Sequence, residues 1–361
     1  MNYAKLRKHL IALASLPTCG SPLVSAFFDL SKGNASALRD FQAWTELTRQ
    51  TFSGARRQEF DDATEEIESW LMKVKGISAA IFCRWGEHPL FLPMEFEVPL
   101  ESRYHVDELA VIYPLVELKD RFNRFVVALT TAESARIIEV NLGSQSVELL
   151  TERPSLRERI GREWTREHYA SHRRERNRQF LKDKITVIES LMAKRGHNSL
   201  IIAGDARYVN RLTDALPYHL KHKLIGGIKT GIRDQRLKDV ISQAVDSFLE
   251  AEAQESHGTV QLLVSSVRAG GLAVVGVEAT RRALGQGRVE CLVVSSSLLK
   301  QEQESLVRLA SQRGVPIETV QDCELLERNG GAGALLRYLL PGHDSAKVEQ
   351  PELEPELEPV G

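Results

Sequence analysis

Apolar positions along the chain fall into two patterns. Short apolar runs bounded by turn residues alternate with longer stretches in which apolar residues recur every three or four positions. The first pattern predicts strands and the second one-sided helices. Pro22–Leu30 (PLVSAFFDL) reads as a strand closed by Ser31, Lys32, Gly33 and Asn34. Residues 36–75 read as helical, with Phe60, Ala63, Ile67, Trp70 and Val74 on one face and Gly76 as the stop. Ala79–Cys83 is a second strand, and Pro89–Pro99 is extended or looped. Trp70 and Trp85 read as packing residues more readily than as a stacking platform.

Further along, Arg124–Leu129 and Ala135–Val140 predict two strands around a short turn, with Val147–Leu150 as a third, a meander. A polar segment, 151–178, precedes a helix running to about Arg195, whose stripe is Leu181, Ile185, Ile188 and Met192. Ser199–Ala203 is uniformly apolar and predicts a buried central strand. Asp205 then caps the next helix, or stands as a carboxylate at the carboxyl end of a sheet. Leu224–Ile228 reads as a strand and Arg233–Gln254 as a helix. Val260–Val264, Cys291–Ser295 and Pro316–Val320 follow as strands, alternating with helices at 276–286, 301–313 and 332–340. This βα alternation predicts a small three-layer α/β/α domain with a mostly parallel sheet. The expected organisation is α/β with three domains, 1–118, 119–256 and 257–342, and a disordered tail, 343–361.

Composition narrows the class. The chain has 361 residues, 42% hydrophobic and 27% charged, an ordinary globular mixture. No apolar run nears the roughly 18–20 residues of a membrane span, and the short IALASL stretch near the start is too amphipathic for a secretory signal. Cys19, Cys83, Cys291 and Cys323 stand far apart, without metal-ligand or disulfide-framework spacing. A cytoplasmic protein without metal or cofactor is expected.

Net charge is −2, but it sums unlike parts. The last nineteen residues carry six carboxylates against Lys347, so the remainder is cationic by three. The Pro-Glu-Leu-Glu tail has little to bury; it either solubilises the chain or binds a partner.

The sequence contains no Gly-x-Ser-x-Gly, His-Glu-x-x-His or Gly-x-Gly-x-x-Gly. Gly226–Gly231 places Lys229 and Thr230 beside glycines, but its spacing is not that of a phosphate-binding loop. Residues 151–178 are more informative. They hold nine arginines and five glutamates, no lysine, and Trp164 and Tyr169 among the arginines. Guanidinium forks grip phosphate bidentately and stack on bases, and interleaved aromatics are what RNA-binding segments use. A solvated helix face with i, i+4 Arg–Glu pairs would give the same composition.

Three stretches carry a family resemblance. GLAVVGVEATRRALGQGRVECLVV (271–294) places Gly276, Ala283, Leu284, Gly287, Val289 and Glu290 in a glycine turn, short helix and Gly-x-Val-Glu strand lead. NGGAGALLRYLL (329–340) forms a closing segment, and in between FVVALTTAESARIIEV, ERNRQFLKDKITVIESLM and LIIAGDARYVNRL occur in order. The chain so resembles the archaeo-eukaryotic peptide-chain release factors and Pelota, including their bacterial relatives, over about 120–340. The resemblance implies a three-domain translation factor, with a mixed-sheet, RNase H-like middle domain and a last domain like kink-turn-binding ribosomal proteins. Release in that family depends on a Gly-Gly-Gln loop, expected near Gly161–Arg166; this chain reads Gly-Arg-Glu-Trp-Thr-Arg there. A single glycine beside Cβ-bearing residues lacks the freedom of the pair. The stop-codon-reading Asn-Ile-Lys-Ser is absent as well.

What remains resembles Pelota, a tRNA-shaped, non-hydrolytic factor. The resemblance implies binding to the A site of stalled or idle ribosomes, in rescue or hibernation. The expected partners are ribosomal RNA, transfer RNA and a translational GTPase such as elongation factor Tu, with no membrane and a monomeric chain. The candidate RNA contacts are Arg162, Trp164, Arg166, His168, Tyr169, His172, Arg173, Arg174, Arg176 and Arg178. Two other readings are a peptidyl-tRNA hydrolase or nuclease, with Glu167, His168 or His172 as general base, and an RNA-binding adaptor unconnected with ribosomes.

Overall fold

The apolar run after Pro22 becomes a central strand because both of its faces are covered. In the computed structural model, which describes residues 3–132, 134–142, 144–152, 166–229, 237–321 and 323–338, the first elements are α1 (Tyr3–Ala14), β1 (Leu23–Asp29), α2 (Asn34–Arg49), α3 (Gly54–Leu71), β2 (Ser78–Arg84), β3 (Leu90–Phe96), β4 (Arg103–Asp107) and α4 (Tyr113–Arg121). The sheet runs β3-β2-β1-β4, every pair antiparallel. Val24, Ala26 and Phe28 alternate with Leu23 and Phe27; the first set meets Phe41, Phe60, Ala63 and Ile67 of α2 and α3, and the second is equally buried.

The single helix expected over 36–75 is two helices. Gly54 takes φ +58°, and the Thr51 hydroxyl donates to the Thr48 carbonyl at 2.7 Å, which closes α2 and lets the chain reverse. Phe52 then lies 5.1 Å from Phe60, ring to ring. Trp70 packs against this core as expected, whereas Trp85, in the β2–β3 turn, is 42% exposed. Pro93 sits in β3, an edge strand, where its missing N–H is tolerated.

The second sheet comprises β5 (Phe125–Thr130), β6 (Ser134–Asn141), β7 (Ser144–Glu152), β8 (Leu200–Gly204) and β9 (Leu224–Lys229), with α5 (Arg166–Arg195), α6 (Ala206–Ala215), α7 (Tyr218–Lys221) and α8 (Leu237–Arg268). Its order is β7-β6-β5-β8-β9. The β5–β6–β7 meander is antiparallel, and β5, β8 and β9 are parallel neighbours. Val126, Ala128, Leu200 and Ile202 face α5 and α6. Phe125, Val127, Ile201 and Ala203 face the first half of α8, where Phe125 stacks on Phe248 at 4.5 Å. β8 is buried on both sides, which explains its unbroken apolar run. A wholly buried His197 lies 3.2 Å from Glu139 of β6.

Residues to Glu255 form one compact unit and those from Ser256 another. The second unit corrects three expectations. Val260–Val264 is not a strand: Val260, Leu263, Val264 and Val267 continue α8 at i, i+3, i+4, i+7 and cover one face of the sheet. Valine-rich composition favours strand locally, but the helical spacing and the face it buries prevail. The remaining elements are β10 (Ala273–Val275), α9 (Val277–Gly285), β11 (Val289–Ser295), α10 (Lys300–Gln312), β12 (Ile317–Val320), α11 (Glu324–Glu327) and β13 (Ala332–Leu336). Residues 332–336 thus form a strand where a helix was expected. Ala332, Ala334 and Leu336 are all buried. On the opposite side a Cβ at Gly333 would stand 2.6 Å from Leu263 Cδ2 and 2.9 Å from the Val274 carbonyl. Alanine and leucine favour helix locally, but this stretch fills the slot between two strands. The order is β10-β13-β11-β12, and only β11 and β12 are parallel. The mostly parallel sheet expected is therefore mixed.

Candidate nucleic-acid interface

The arginine-bearing segment enters the fold through α5. This helix begins at Arg166, twelve residues before the end of the polar segment that the sequence leaves irregular. It runs antiparallel to β5. Near its end the Gly196 carbonyl accepts from Arg124 Nη2 at 3.2 Å, at the start of β5. In its middle Lys184 reaches the other end of that strand: Nζ donates to Thr130 Oγ1 at 2.7 Å and to the Thr131 carbonyl at 3.0 Å. On the turn upstream of Lys184, Phe180 is still buried and Leu181 still packs on the core, and beyond them the helix continues past the described end of β5. Eighteen residues separate Arg166 from Lys184, about 27 Å at 1.5 Å per residue. The N-terminal half of α5 therefore overhangs the carboxyl edge of the β5–β8–β9 trio.

The overhang explains where the arginines stand. Arg174, Arg178, Leu181, Ile185, Ile188 and Met192 follow one another at steps of four and three, so they share one face of the helix. Over the sheet this face is apolar and packed. Past the sheet edge it is Arg178 and Arg174, both exposed. A guanidinium replaces an aliphatic side chain where the covering strands run out. Arg176 lies to the side and is half-buried, with Nη1 shielded from solvent and lacking an acceptor among the described residues. Arg166, His168, Tyr169, His172 and Arg173 occupy turns of the same overhang. Their side chains lie outside the described residues, as do Arg162, Trp164 and the whole Gly161–Thr165 stretch.

At the root of the overhang sits a group the sequence reading passed over. Lys184 is 4% exposed. Its ammonium lies 4.3 Å from the Phe180 ring centroid, one helical turn away. Burial, and secondarily the charge of Arg211 on α6, pulls its pKa down to about 8. The signal was present as Phe180 and Lys184 at i, i+4 beside the apolar stripe, but a lysine there reads as solvent-facing. Asp205 acts as the cap, accepting from the Arg207 amide at 2.9 Å. Gly226 and Gly227 lie in edge strand β9, and Lys229 is exposed at its end, a strand and not a phosphate loop. Among the described residues no cluster of three or more His, Cys, Asp and Glu is placed to hold a metal ion. Burial, followed by the charge of Glu66, pushes the Cys83 thiol up to about 12, which leaves it unreactive.

Chemically, the described residues of this edge offer two permanent cations, Arg174 and Arg178, exposed on one helix. That is an arrangement suited to binding phosphate.

Residues 111–248 match the profile of bacterial archaeo-eukaryotic release factor family 10. The chain is similar to the Protein pelota homolog of Pyrococcus furiosus, 23% identical over 271 residues, 69% of this chain and 76% of that one. The homologue of Methanocaldococcus jannaschii is 22% identical over 173 residues, 45% of this chain and half of that one. Among solved structures, ribosome-bound archaeal Pelota with ABCE1 aligns over 93% of this chain and 94% of its own, at 16% identity and a TM-score of 0.44. The profile match spans the second sheet and the arginine-bearing helix, where the chain is similar to the bacterial archaeo-eukaryotic release factors of family 10, and over a longer stretch it is similar to Pelota.

Proposed function

We propose that this chain is a ribosome-associated translation factor that binds RNA phosphate with the overhanging half of α5, and that it acts on stalled or idle ribosomes without releasing peptide. The observation that carries the reading is the exposed Arg174–Arg178 continuation of the α5 stripe past the sheet edge. Similarity to release factors and Pelota supports translation as the setting. The absence of Gly-Gly-Gln and of Asn-Ile-Lys-Ser from the sequence argues against termination chemistry. On this reading Arg162, Arg166, Arg173, Arg174, Arg176 and Arg178 contact ribosomal or transfer RNA, and Trp164 and Tyr169 stack on bases, with His168 and His172 beside them. The reading includes three domains divided near 119 and 257, an RNase H-like middle domain, a last domain like kink-turn-binding ribosomal proteins, a monomeric cytoplasmic chain, and a translational GTPase such as elongation factor Tu as partner. No helix among the described residues is long and apolar enough to cross a membrane.

Sedimentation of the tagged full chain through sucrose gradients tests it. Co-migration with ribosomes, reduced by R174A/R178A, is the expected result. Absence from ribosomal fractions in both growing and starved cells overturns it.

A further inference from the structure

Lys184 is unusual for a residue that fastens a helix to a sheet. A methionine of similar length would fill the same space without burying a charge. The amine is enclosed by Thr130 Oγ1, the Thr131 carbonyl and the Phe180 ring. The elements around it supply little charge. From α6 the guanidinium of Arg211 acts on it. β5 and its following turn present only the neutral Thr130 and Thr131. On α5 itself Lys182 and Asp183 are exposed, and Asp183 accepts from Gln179 at 2.9 Å. No carboxylate among the described residues pairs with Lys184. The nearest exposed arginine upstream on its own helix, Arg178, is six residues away, about 9 Å along the axis.

A buried ammonium without a counter-ion is held in its charged form only weakly, and any anion brought to this edge favours that form. Buried charges are screened less by salt than exposed ones, so they respond to charge arriving at this distance. We infer that polyanion binding along Arg174, Arg178 and Arg211 is coupled to uptake of a proton at Lys184. The inference rests on the RNA-binding reading above and adds to it a protonation step at a named amine. The sign follows from linkage: a ligand whose binding takes up a proton binds less tightly as pH rises. With the free amine titrating at about 8, a rise of about one pH unit in the bound state gives a roughly fivefold loss of affinity between pH 7 and pH 9. Arginines do not titrate in this window.

The experiment uses the full chain with two probes, vacant ribosomes and a 20-nucleotide single-stranded RNA. Affinity is measured at pH 7, 8 and 9 for wild type, K184M and K184R. The heat of binding at pH 8 is measured in two buffers of unlike ionisation enthalpy. The wild type is expected to lose affinity about fivefold and to take up a fraction of a proton. K184M and K184R are expected to show a flat profile, K184R at the wild-type pH 7 affinity. Equal pH slopes in all three proteins, or no proton uptake by the wild type, overturn the inference. If K184M does not fold, the K184R profile and the two-buffer calorimetry decide. Binding of the RNA with this pH profile but no binding to ribosomes would reject the ribosomal function and keep the proton coupling.

Discussion

Replacing Lys184 by methionine reports on the free protein what burial of this amine does. Its pKa falls from 10.5 to about 8, so the folded state holds the charged form less well than the unfolded chain by about 3 kcal/mol, at 1.36 kcal/mol per unit. Below pH 8 both states are protonated and the whole penalty is felt. Between pH 8 and 10.5 the unfolded chain binds the extra proton, so wild-type stability rises with pH and the penalty disappears. Methionine removes the penalty at every pH but also removes the bonds to Thr130 and the Thr131 carbonyl, each about 1 kcal/mol. K184M is therefore expected to be about 1 kcal/mol more stable than wild type at pH 7 and about 2 kcal/mol less stable at pH 10.5. Urea unfolding followed by tryptophan fluorescence measures this, since all four tryptophans precede Glu255. Taking the difference between the two proteins cancels the other titrating groups. A difference constant to within about 0.5 kcal/mol across this range would refute a charged, desolvated Lys184.

Three other perturbations test the remaining structure. R174A/R178A removes two exposed side chains; stability should change by less than about 0.5 kcal/mol for each substitution, while the slope of log affinity for RNA against log salt shrinks by about 1–2, as read by filter binding at several salt concentrations. Gly333→Ala forces a Cβ to within 2.6 Å of Leu263 and should destabilise the second unit by about 1–3 kcal/mol, seen in thermal unfolding. Glu139→Ala removes the carboxylate 3.2 Å from the buried His197 and should lower stability of the first unit by about 1–3 kcal/mol; the double variant with His197→Ala should lose less than the sum of the two singles, measured by urea unfolding.

Most strands and helices were legible from periodicity, because a face that must be buried imposes its period on the residues. β1, β2, the meander, β8 and α6 with its Asp205 cap all follow this rule. The misses share a cause. Residues 260–264 and 332–336 are apolar on more than one side, so period and composition do not separate helix from strand. The first became helix because α8 continues across one face of the last sheet, and the second became strand because a slot stood open between β10 and β11. The break between α2 and α3 depended on Gly54 adopting positive φ and on Phe52 reaching Phe60, a contact made only once the chain has reversed.

The arginine segment shows the same division. Its cationic composition, its interleaved aromatics and the missing Gly-Gly-Gln are properties of the chain as written, set by covalent order alone. That Arg174 and Arg178 stand exposed on the face that two turns later packs against β5 depends on where the sheet ends. That Lys184 lies buried at that edge depends on Thr130 and Thr131, more than fifty residues away in sequence, coming under α5. Local order determines period and charge; burial, and with it the energy of a charge, is determined by residues that only folding brings together.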